Sequence, residues 1–256
     1  KKFIISIDQG TTSSRAILFD LKGKPVYSSQ KEFTQYFPKS GWVEHDPEEI
    51  WSTTKKTLKD VINKSRKLRG KILTIGITNQ RETTVLWDKK TGKAVYNAIV
   101  WQDRRQEEFC RKLRKQNNET LIFNRTGLLI DSYFSGIKIK WVLDNVPLAK
   151  KLMNKKQLLF GTIDSFLIWR LTKGKVHATD ATNASRTMIY NIVSNKWDDA
   201  ILKLLKIEKH ILPVVKDCAD DYGHTVSSIT GKPISISGVV GDQQSASIGQ
   251  CCFEPG

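Results

Sequence analysis

The chain of 256 residues is long enough for one large domain or two modest ones, and 39% hydrophobic with 27% charged residues is a globular composition. Forty-two Lys and Arg against 26 Asp and Glu give a net charge of +16, which favours polyanionic ligands from nucleotides to nucleic acid. Because the cations are spread along the chain without a nucleic-acid-binding motif, we expect no nucleic-acid partner.

Three strands are predicted first, at residues 3–8, 15–20 and 26–33. The last two are joined across a short polar turn in which Gly23 can adopt positive φ. This spacing predicts an antiparallel meander.

A long helix is predicted next, starting within the sequence WVEHDPEEIW. Asp46 is a suitable N-cap residue, and Pro47 is tolerated at the first helical position. Glu49 stands three residues after the cap, where a capping box needs an acidic side chain. The apolar periodicity continues to about Leu68.

The middle of the chain alternates between apolar runs and polar clusters. Residues 72–78 form a continuous apolar run, as in a strand buried on both faces of a sheet. Residues 83–101 indicate a hairpin that turns at Thr91 and Gly92, and residues 103–116 indicate a surface helix.

The remaining predicted elements are helices at residues 134–145, 162–171 and 198–205, and a strand that passes through Gly241 into a helix at Asp242. Several strands therefore end in polar residues. In open α/β sheets such residues line the ligand crevice, so we expect Asp8, Arg81, Glu82, Trp101 and Asp242 to converge.

The four cysteines, at positions 110, 218, 251 and 252, form no CxxC pair and have no histidine at ligand spacing. This pattern favours neither a zinc site nor a disulfide framework, and it is typical of a reducing compartment. No apolar run approaches the length of a signal peptide or a membrane span, so we expect a cytoplasmic protein without a membrane span.

The turn after the first strand could bind phosphate groups. Asp8 at the strand tip needs a compensating cation, which a metal-bound nucleotide would supply. Gly10 allows a close backbone turn, Thr11 and Thr12 offer hydroxyl groups, and Arg15 adds a guanidinium. The alternative is an ordinary hairpin turn.

Arg81 and Glu82 pair a donor fork with an acceptor and could hold the hydroxyl groups of a small polyol, or could form a surface salt bridge. Trp101 and Tyr133 could form an aromatic wall, or could belong to the core. Asp242 is a candidate general base for phosphoryl transfer, or an ordinary residue at a helix start.

Eight ordered motifs between residues 3 and 250 resemble the FGGY family of carbohydrate kinases, in particular its members that phosphorylate glycerol. They are DQGTTSSRA, GWVEHDPEEIW, GITNQRETT, NAIVWQDRR, TGLLIDSYFSGIKIKW, LFGTIDSFLIW, DATNASRTM and SGVVGDQQSA. The resemblance implies an α/β fold, namely a ribonuclease H-like domain of the actin/hexokinase/Hsp70 ATPase type with a mixed five-stranded central sheet flanked by helices.

The resemblance also implies that residues 1–250 form an N-terminal domain, and that residues 251–256 begin a linker to a C-terminal ATP-binding domain absent from this chain. The complete enzyme would convert glycerol and ATP to glycerol 3-phosphate with Mg²⁺, and is expected to be a homo-oligomer. The isolated chain would have little or no activity, because domain closure completes the catalytic set.

Site residues follow from the resemblance, motif by motif. Asp8 would help hold Mg²⁺, and Gly10, Thr11, Thr12, Ser13 and Arg15 would approach the ATP phosphates. The glycerol set would be Arg81, Glu82, Trp101, Tyr133, Asp242 and Gln243, with Asp242 as the base.

Three other functions compete with this interpretation. A kinase for another polyol or a pentulose in the same family is the nearest, although the compact Arg–Glu–Trp set favours glycerol. A ribonuclease H-like nuclease would need several carboxylates around two metals. A non-catalytic actin-like module would not need Asp242 or Arg81, and both are present.

Overall fold

The structure is a computed structural model that describes residues 1–254, so Pro255 and Gly256, at the end of the predicted linker, lie outside the described residues. The strands are β1 (Lys2–Gln9), β2 (Ser13–Asp20), β3 (Pro25–Glu32), β4 (Glu44–His45), β5 (Lys71–Asn79), β6 (Val85–Asp88), β7 (Ala98–Ile99), β8 (Leu158–Gly161), β9 (Ala178–Asp180), β10 (Tyr190–Asn191), β11 (Lys196–Trp197), β12 (Val214–Lys216) and β13 (Ser235–Gly241). The helices are α1 (Pro47–Lys67), α2 (Glu107–Lys115), α3 (Glu119–Thr126), α4 (Ser135–Asn145), α5 (Pro147–Asn154), α6 (Ile163–Leu171), α7 (Ala181–Ala184), α8 (Asp199–Leu205), α9 (Ser227–Thr230) and α10 (Asp242–Gly249), with a 3-10 turn at Lys209–Ile211.

The central sheet has five strands in the order β13-β5-β1-β2-β3. β2 runs antiparallel to both of its neighbours, β1 and β3, whereas β1, β5 and β13 run parallel to one another. The predicted meander and the predicted mixed five-stranded sheet are both confirmed.

The main core lies between one face of this sheet and the helices α1 and α6. Along β1, Ile5 and Ile7 are fully buried and alternate with half-buried neighbours, and Ile75 and Ile77 repeat the pattern on β5. These side chains pack against α1 residues such as Leu58. A second apolar cluster, built largely from α4, α5, β8 and α8, belongs to the long insertion between β5 and β13.

Helix α1 begins as predicted but is capped differently. The Asp46 carboxylate accepts a hydrogen bond from Glu48 N at 2.8 Å, as an N-cap should. The predicted capping box is wrong, because the Glu49 carboxylate instead accepts hydrogen bonds from Thr34 N and Tyr36 Oη, both at 2.8 Å. The Glu49 side chain therefore links the segment that follows β3 to the start of α1 by hydrogen bonds.

The predicted hairpin over residues 83–101 is only partly correct. The turn forms, with Gly92 at φ +72° and its N–H donating to the Asp88 carbonyl at 2.8 Å. However, β6 pairs antiparallel with β8, 70 to 76 residues further along, and β7 pairs with β4. Trp87 of β6 is fully buried against Phe166, and its ring packs so closely on Gly161 of β8 that a Cβ atom there would lie 2.9 Å from it.

The predicted helices that became α1, α2, α4, α6 and α8 are confirmed to within a few residues, as are β5 and the junction of β13 with α10. The short elements α3, α5 and β8–β12 were not predicted. Among the helices of residues 1–254, none combines the length and the apolar character needed to cross a bilayer.

Candidate functional site

Three parallel strands of the central sheet end at one edge of the molecule. Asp8 of β1 is level with Thr78 of β5, which in turn is level with Val240 of β13. The segments that leave these strands therefore start side by side, although those after β1 and β13 start 232 positions apart in the sequence. Asp8 and Asp242 lie at the same edge of the sheet.

The segment after β5 is held against the end of β1. Gln80 N donates to the Gln9 carbonyl at 2.8 Å, and the Gln80 side-chain amide donates to Gln9 Oε1 at 3.1 Å and to the Gly10 carbonyl at 3.0 Å. All three residues are buried or half-buried. These bonds fix the start of the Arg81–Glu82 segment relative to the turn at Gly10.

Glu82 has a backbone conformation that is rare for a residue other than glycine, with φ at +60°. Its carbonyl accepts hydrogen bonds from Ser135 Oγ at 2.9 Å and from Thr84 Oγ1 at 3.0 Å. Strained backbone persists only where surrounding contacts determine it, and such positions cluster at functional sites.

A pocket of about 420 Å³ opens at this edge of the sheet. Its lining residues are Thr11, Arg81, Glu82, Trp101, Tyr133, Asp242 and Gln243. All six residues named from the sequence as a polyol-binding set line this one pocket, and Thr11 of the predicted phosphate set joins them.

Arg81 organises the side of the pocket formed by the start of α10. Its Nε donates to Asp242 Oδ1 at 3.1 Å and its Nη2 donates to Gln243 Oε1 at 2.6 Å. Gly241 is needed for this approach, since a Cβ atom there would lie 2.6 Å from Arg81 Cδ. Asp242 is about half exposed, and within the described residues its Oδ2 accepts no hydrogen bond.

The opposite side is aromatic. The ring centroids of Trp101 and Tyr133 lie 5.6 Å apart at 60°, and Trp101 Nε1 donates to Thr11 Oγ1 at 3.0 Å. Burial raises the pKa of Tyr133 above its usual value. Such a wall can cover the carbon skeleton of a small alcohol while the polar side binds its hydroxyl groups.

Arg186, which the sequence analysis did not single out, contacts Glu82. Its Nε donates to Glu82 Oε1 at 2.7 Å, while Glu82 itself is only 1% exposed. Burial raises the pKa of Glu82 above its usual value, and Arg186 and Arg81 oppose that rise. Its position inside the motif DATNASRTM was the one sequence signal for Arg186.

Lys138 is a second residue that the sequence did not indicate. It is fully buried, and burial lowers its pKa from 10.5 to about 7. Its Nζ donates to the Ser132 carbonyl at 2.9 Å and to the Tyr133 carbonyl. Lys138 thus holds the backbone that carries Tyr133 into the pocket.

Apart from Thr11, the predicted phosphate and metal residues do not line the pocket. Asp8 Oδ2 accepts hydrogen bonds from Arg15 Nη2 at 2.5 Å and Nε at 3.2 Å, and neither residue lines the pocket. Gly10 N donates to the Ser13 carbonyl at 2.9 Å, which closes the turn.

Two groups in this turn remain open to a ligand. Within residues 1–254, the backbone N–H groups of Thr11 and Thr12 donate to no protein acceptor. The Ser13 hydroxyl differs, because it already accepts a hydrogen bond from Gln30 at 2.9 Å. Free N–H groups in a tight turn are suited to anionic oxygens.

A larger cleft, of about 730 Å³, lies elsewhere and includes Glu44, Tyr96 and Arg170 in its lining. Its lining includes none of the site residues predicted from the sequence. Glu44 is already paired with Arg105 at 2.7 Å, and Arg170 with Glu48. We therefore regard the smaller pocket, with its unpartnered carboxylate oxygens, as the candidate site.

The chain is similar in sequence to several known proteins. The model of the N-terminal domain of the FGGY family of carbohydrate kinases matches residues 3–249. A glycerol kinase of Rhizobium meliloti is 58% identical over 254 residues, which cover 99% of this chain and 51% of that protein. One of Alkaliphilus metalliredigens is 57% identical over 257 residues, covering 100% and 51%. The chain thus spans about half the length of the curated relatives it matches.

A solved structure has the same fold. The crystal structure of Plasmodium falciparum glycerol kinase with ADP superposes with a TM-score of 0.95 at 39% identity, covering 99% of this chain and 51% of that one. A gluconate kinase from Lactobacillus acidophilus gives a TM-score of 0.85 at 26% identity, with 97% and 49% covered.

Proposed function

Because the chain belongs to the FGGY family of carbohydrate kinases, we propose that it carries the glycerol-binding site of a kinase that converts glycerol and ATP to glycerol 3-phosphate and ADP. The observation that supports this most strongly is the pocket itself. It combines a guanidinium, two carboxylates with open oxygens and an aromatic wall in about 420 Å³. These groups can together bind the hydroxyl groups and the carbon skeleton of a small neutral polyol.

In this proposal each side of the pocket has a separate task. Arg81 donates to substrate hydroxyl oxygens, Glu82 Oε2 accepts from a hydroxyl group, and Trp101 and Tyr133 cover the carbon skeleton. Asp242 accepts the proton of a terminal hydroxyl group of glycerol. The oxygen of that hydroxyl group bonds to the γ-phosphorus of ATP, and the bond between that phosphorus and the ADP oxygen breaks. Positioning and charge neutralisation supply most of the rate in such transfers.

The ATP phosphates would lie over the turn from Gly10 to Ser13, where Thr11 and Thr12 offer free N–H groups. Two oxygen atoms at the same edge of the sheet could bind Mg²⁺. One Asp8 oxygen accepts no hydrogen bond from Arg15. The buried Thr78 Oγ1, on the residue level with Asp8, has no hydrogen-bond partner among the described residues. Hard cations prefer such oxygen donors. When bound, Mg²⁺ would neutralise charge on the phosphate oxygens.

The activity is proposed for a complete enzyme, since the chain spans about half the length of its relatives. We propose that residues 1–250 act as the N-terminal domain, and that a second domain supplies the remaining ATP contacts and closes over the substrates. The isolated chain should then turn over little. A cytoplasmic location and a homo-oligomeric full-length form stay predictions.

The nuclease alternative loses support from the pairing of the carboxylates. Asp242 is bound by Arg81 and Glu82 by Arg186, at 3.1 and 2.7 Å. Two-metal nucleases instead gather free carboxylates around their ions. No specific observation favours a pentulose over glycerol.

A substrate panel tests the proposal. In a full-length enzyme containing this chain, coupled ADP release should occur with glycerol and fall by at least about 100-fold in kcat/KM with propane-1,2-diol, since a missing hydroxyl leaves buried polar groups unpaired. D-xylulose should be a poor substrate. Equal or better turnover of D-xylulose would contradict the assignment to glycerol.

A further inference from the structure

Arg186 and Glu82 form an ion pair of which only Glu82 lines the pocket. Arg186 is absent from the pocket lining, yet its Nε binds Glu82 Oε1 at 2.7 Å. Within the part of the chain that the structure describes, Oε2 of the same carboxylate accepts no hydrogen bond. One oxygen is thus fixed from behind while the other stays open.

The Arg186 side chain and backbone are held by further contacts. The Arg186 guanidinium lies over the Phe134 ring at 5.0 Å and near the Tyr133 ring at 5.7 Å. The Arg186 backbone N–H donates to the Asn183 carbonyl at 3.1 Å. Contact with two aromatic rings restricts the rotation of the guanidinium and so helps to hold it against the carboxylate.

We propose that Arg186 is a positioning residue of this pocket, which keeps Glu82 ionised and directs its Oε2 towards a hydroxyl group of the ligand. The idea rests on the proposed polyol-binding function. Arg186 itself touches no ligand in this account. It acts through Glu82, whose carboxylate must accept a hydrogen bond and can do so fully only when deprotonated.

The charge balance around Glu82 explains why this help is needed. Glu82 is buried, and burial favours the protonated form of its carboxyl group. The ionisable groups that face it are Arg186, Arg81, Lys138 and Tyr133. Arg81 is already engaged with Asp242 and Gln243, and Lys138 with two backbone carbonyls. Arg186 is thus the only one of these cations bonded directly to the Glu82 carboxylate.

The first test is the pH dependence of glycerol affinity, measured by calorimetry on this chain. An opposite charge at hydrogen-bond distance typically lowers a carboxyl pKa by about 1–3. In Arg186→Met, the midpoint of the pH dependence of glycerol affinity should therefore lie about 1–3 pH units higher than in the wild type. Arg186→Lys keeps the charge and should restore that midpoint. Its affinity at high pH should stay lower, because the fork and the stacking on Phe134 are lost.

A double variant and a matched control separate this effect from damage to the fold. Glu82→Gln combined with Arg186→Met should show no such pH dependence, since the titrating group is gone. Arg125→Met removes another arginine paired with a buried carboxylate, Asp198 at 2.8 Å, outside the pocket lining. It should leave the pH profile of glycerol affinity as in the wild type.

The second test does not need glycerol. In protein labelled with ¹³C at Glu carboxyls, the Glu82 resonance, assigned with Glu82→Gln, should titrate at higher pH in Arg186→Met than in the wild type. If the wild-type chain binds no glycerol, the proposed function is contradicted, while this titration still decides the role of Arg186. If Arg186→Met does not fold, Arg186→Gln carries the same prediction. An unchanged Glu82 titration in the uncharged variant would overturn the inference.

Discussion

Replacing Lys138 with methionine should change how the stability of the protein depends on pH. Lys138 is fully buried on α4, forms no salt bridge within residues 1–254, and donates to the carbonyls of Ser132 and Tyr133. Burial lowers its pKa from 10.5 to about 7, which corresponds to about 5 kcal/mol against the charged form.

The sign follows from comparing the folded and unfolded states. Between pH 7 and 10.5 the unfolded chain carries a protonated Lys138 and the folded chain a neutral one, so the free energy of unfolding rises with pH. The slope is about 1.4 kcal/mol per pH unit. Methionine lacks this term, and leaves two carbonyls unpaired at a cost of about 1–3 kcal/mol each. The free energy of unfolding of the variant should therefore be close to that of the wild type at pH 7. At pH 10 the difference between the two proteins should be larger by about 4 kcal/mol, with the variant the less stable.

Urea denaturation followed by tryptophan fluorescence at pH 7, 8, 9 and 10 measures this difference. Other groups that titrate in the range are common to both proteins and cancel in the comparison. Lys140→Met is the matched control on the same helix, since Lys140 binds the exposed Asp144 at 2.6 Å, and its pH dependence should follow the wild type. A difference between Lys138→Met and the wild type that is constant from pH 7 to 10 would refute the reasoning.

Three further substitutions test separate parts of the account. In a full-length enzyme, Asp242→Asn should lower kcat by at least about 100-fold with little change in glycerol affinity, because a general base acts on the proton and not on binding; lost affinity with unchanged kcat would contradict its role. Trp101→Phe keeps the aromatic wall but loses the 3.0 Å bond to Thr11, so calorimetry should show glycerol affinity about fivefold weaker, and no change would remove Thr11 from the site. Asp46→Ala should cost about 1 kcal/mol in urea denaturation, because alanine has no side-chain oxygen to accept from Glu48 N, whereas Asp46→Asn keeps such an acceptor and should cost much less; equal losses would argue against the cap.

Much of the site was predictable because its residues follow strands. Runs of alternating or continuous apolar residues predicted β1, β5 and β13, and their parallel arrangement brings the residues after each strand to one edge. Arg81, Glu82 and Asp242 could be named from that rule together with the family motifs. Each of these residues lies just after the apolar run of a strand.

The remaining features depend on long-range packing that no local pattern encodes. Lys138 and Arg186 look like ordinary surface cations in sequence, and only the fold buries the first and pairs the second with Glu82. The pairing of β6 with β8 was missed because it joins residues 70 to 76 positions apart in the sequence. Short strands of two to four residues have too few positions to show a period.

The central claim is that the pocket formed by Arg81, Glu82, Trp101, Tyr133 and Asp242 binds glycerol. Calorimetric titration of this chain with glycerol at pH 8, with and without ATP and Mg²⁺, tests it most directly. We predict saturable binding at one site per chain, weakened strongly by Glu82→Gln and unchanged by Arg125→Met. Absence of binding, or binding that survives Glu82→Gln unchanged, would contradict the account.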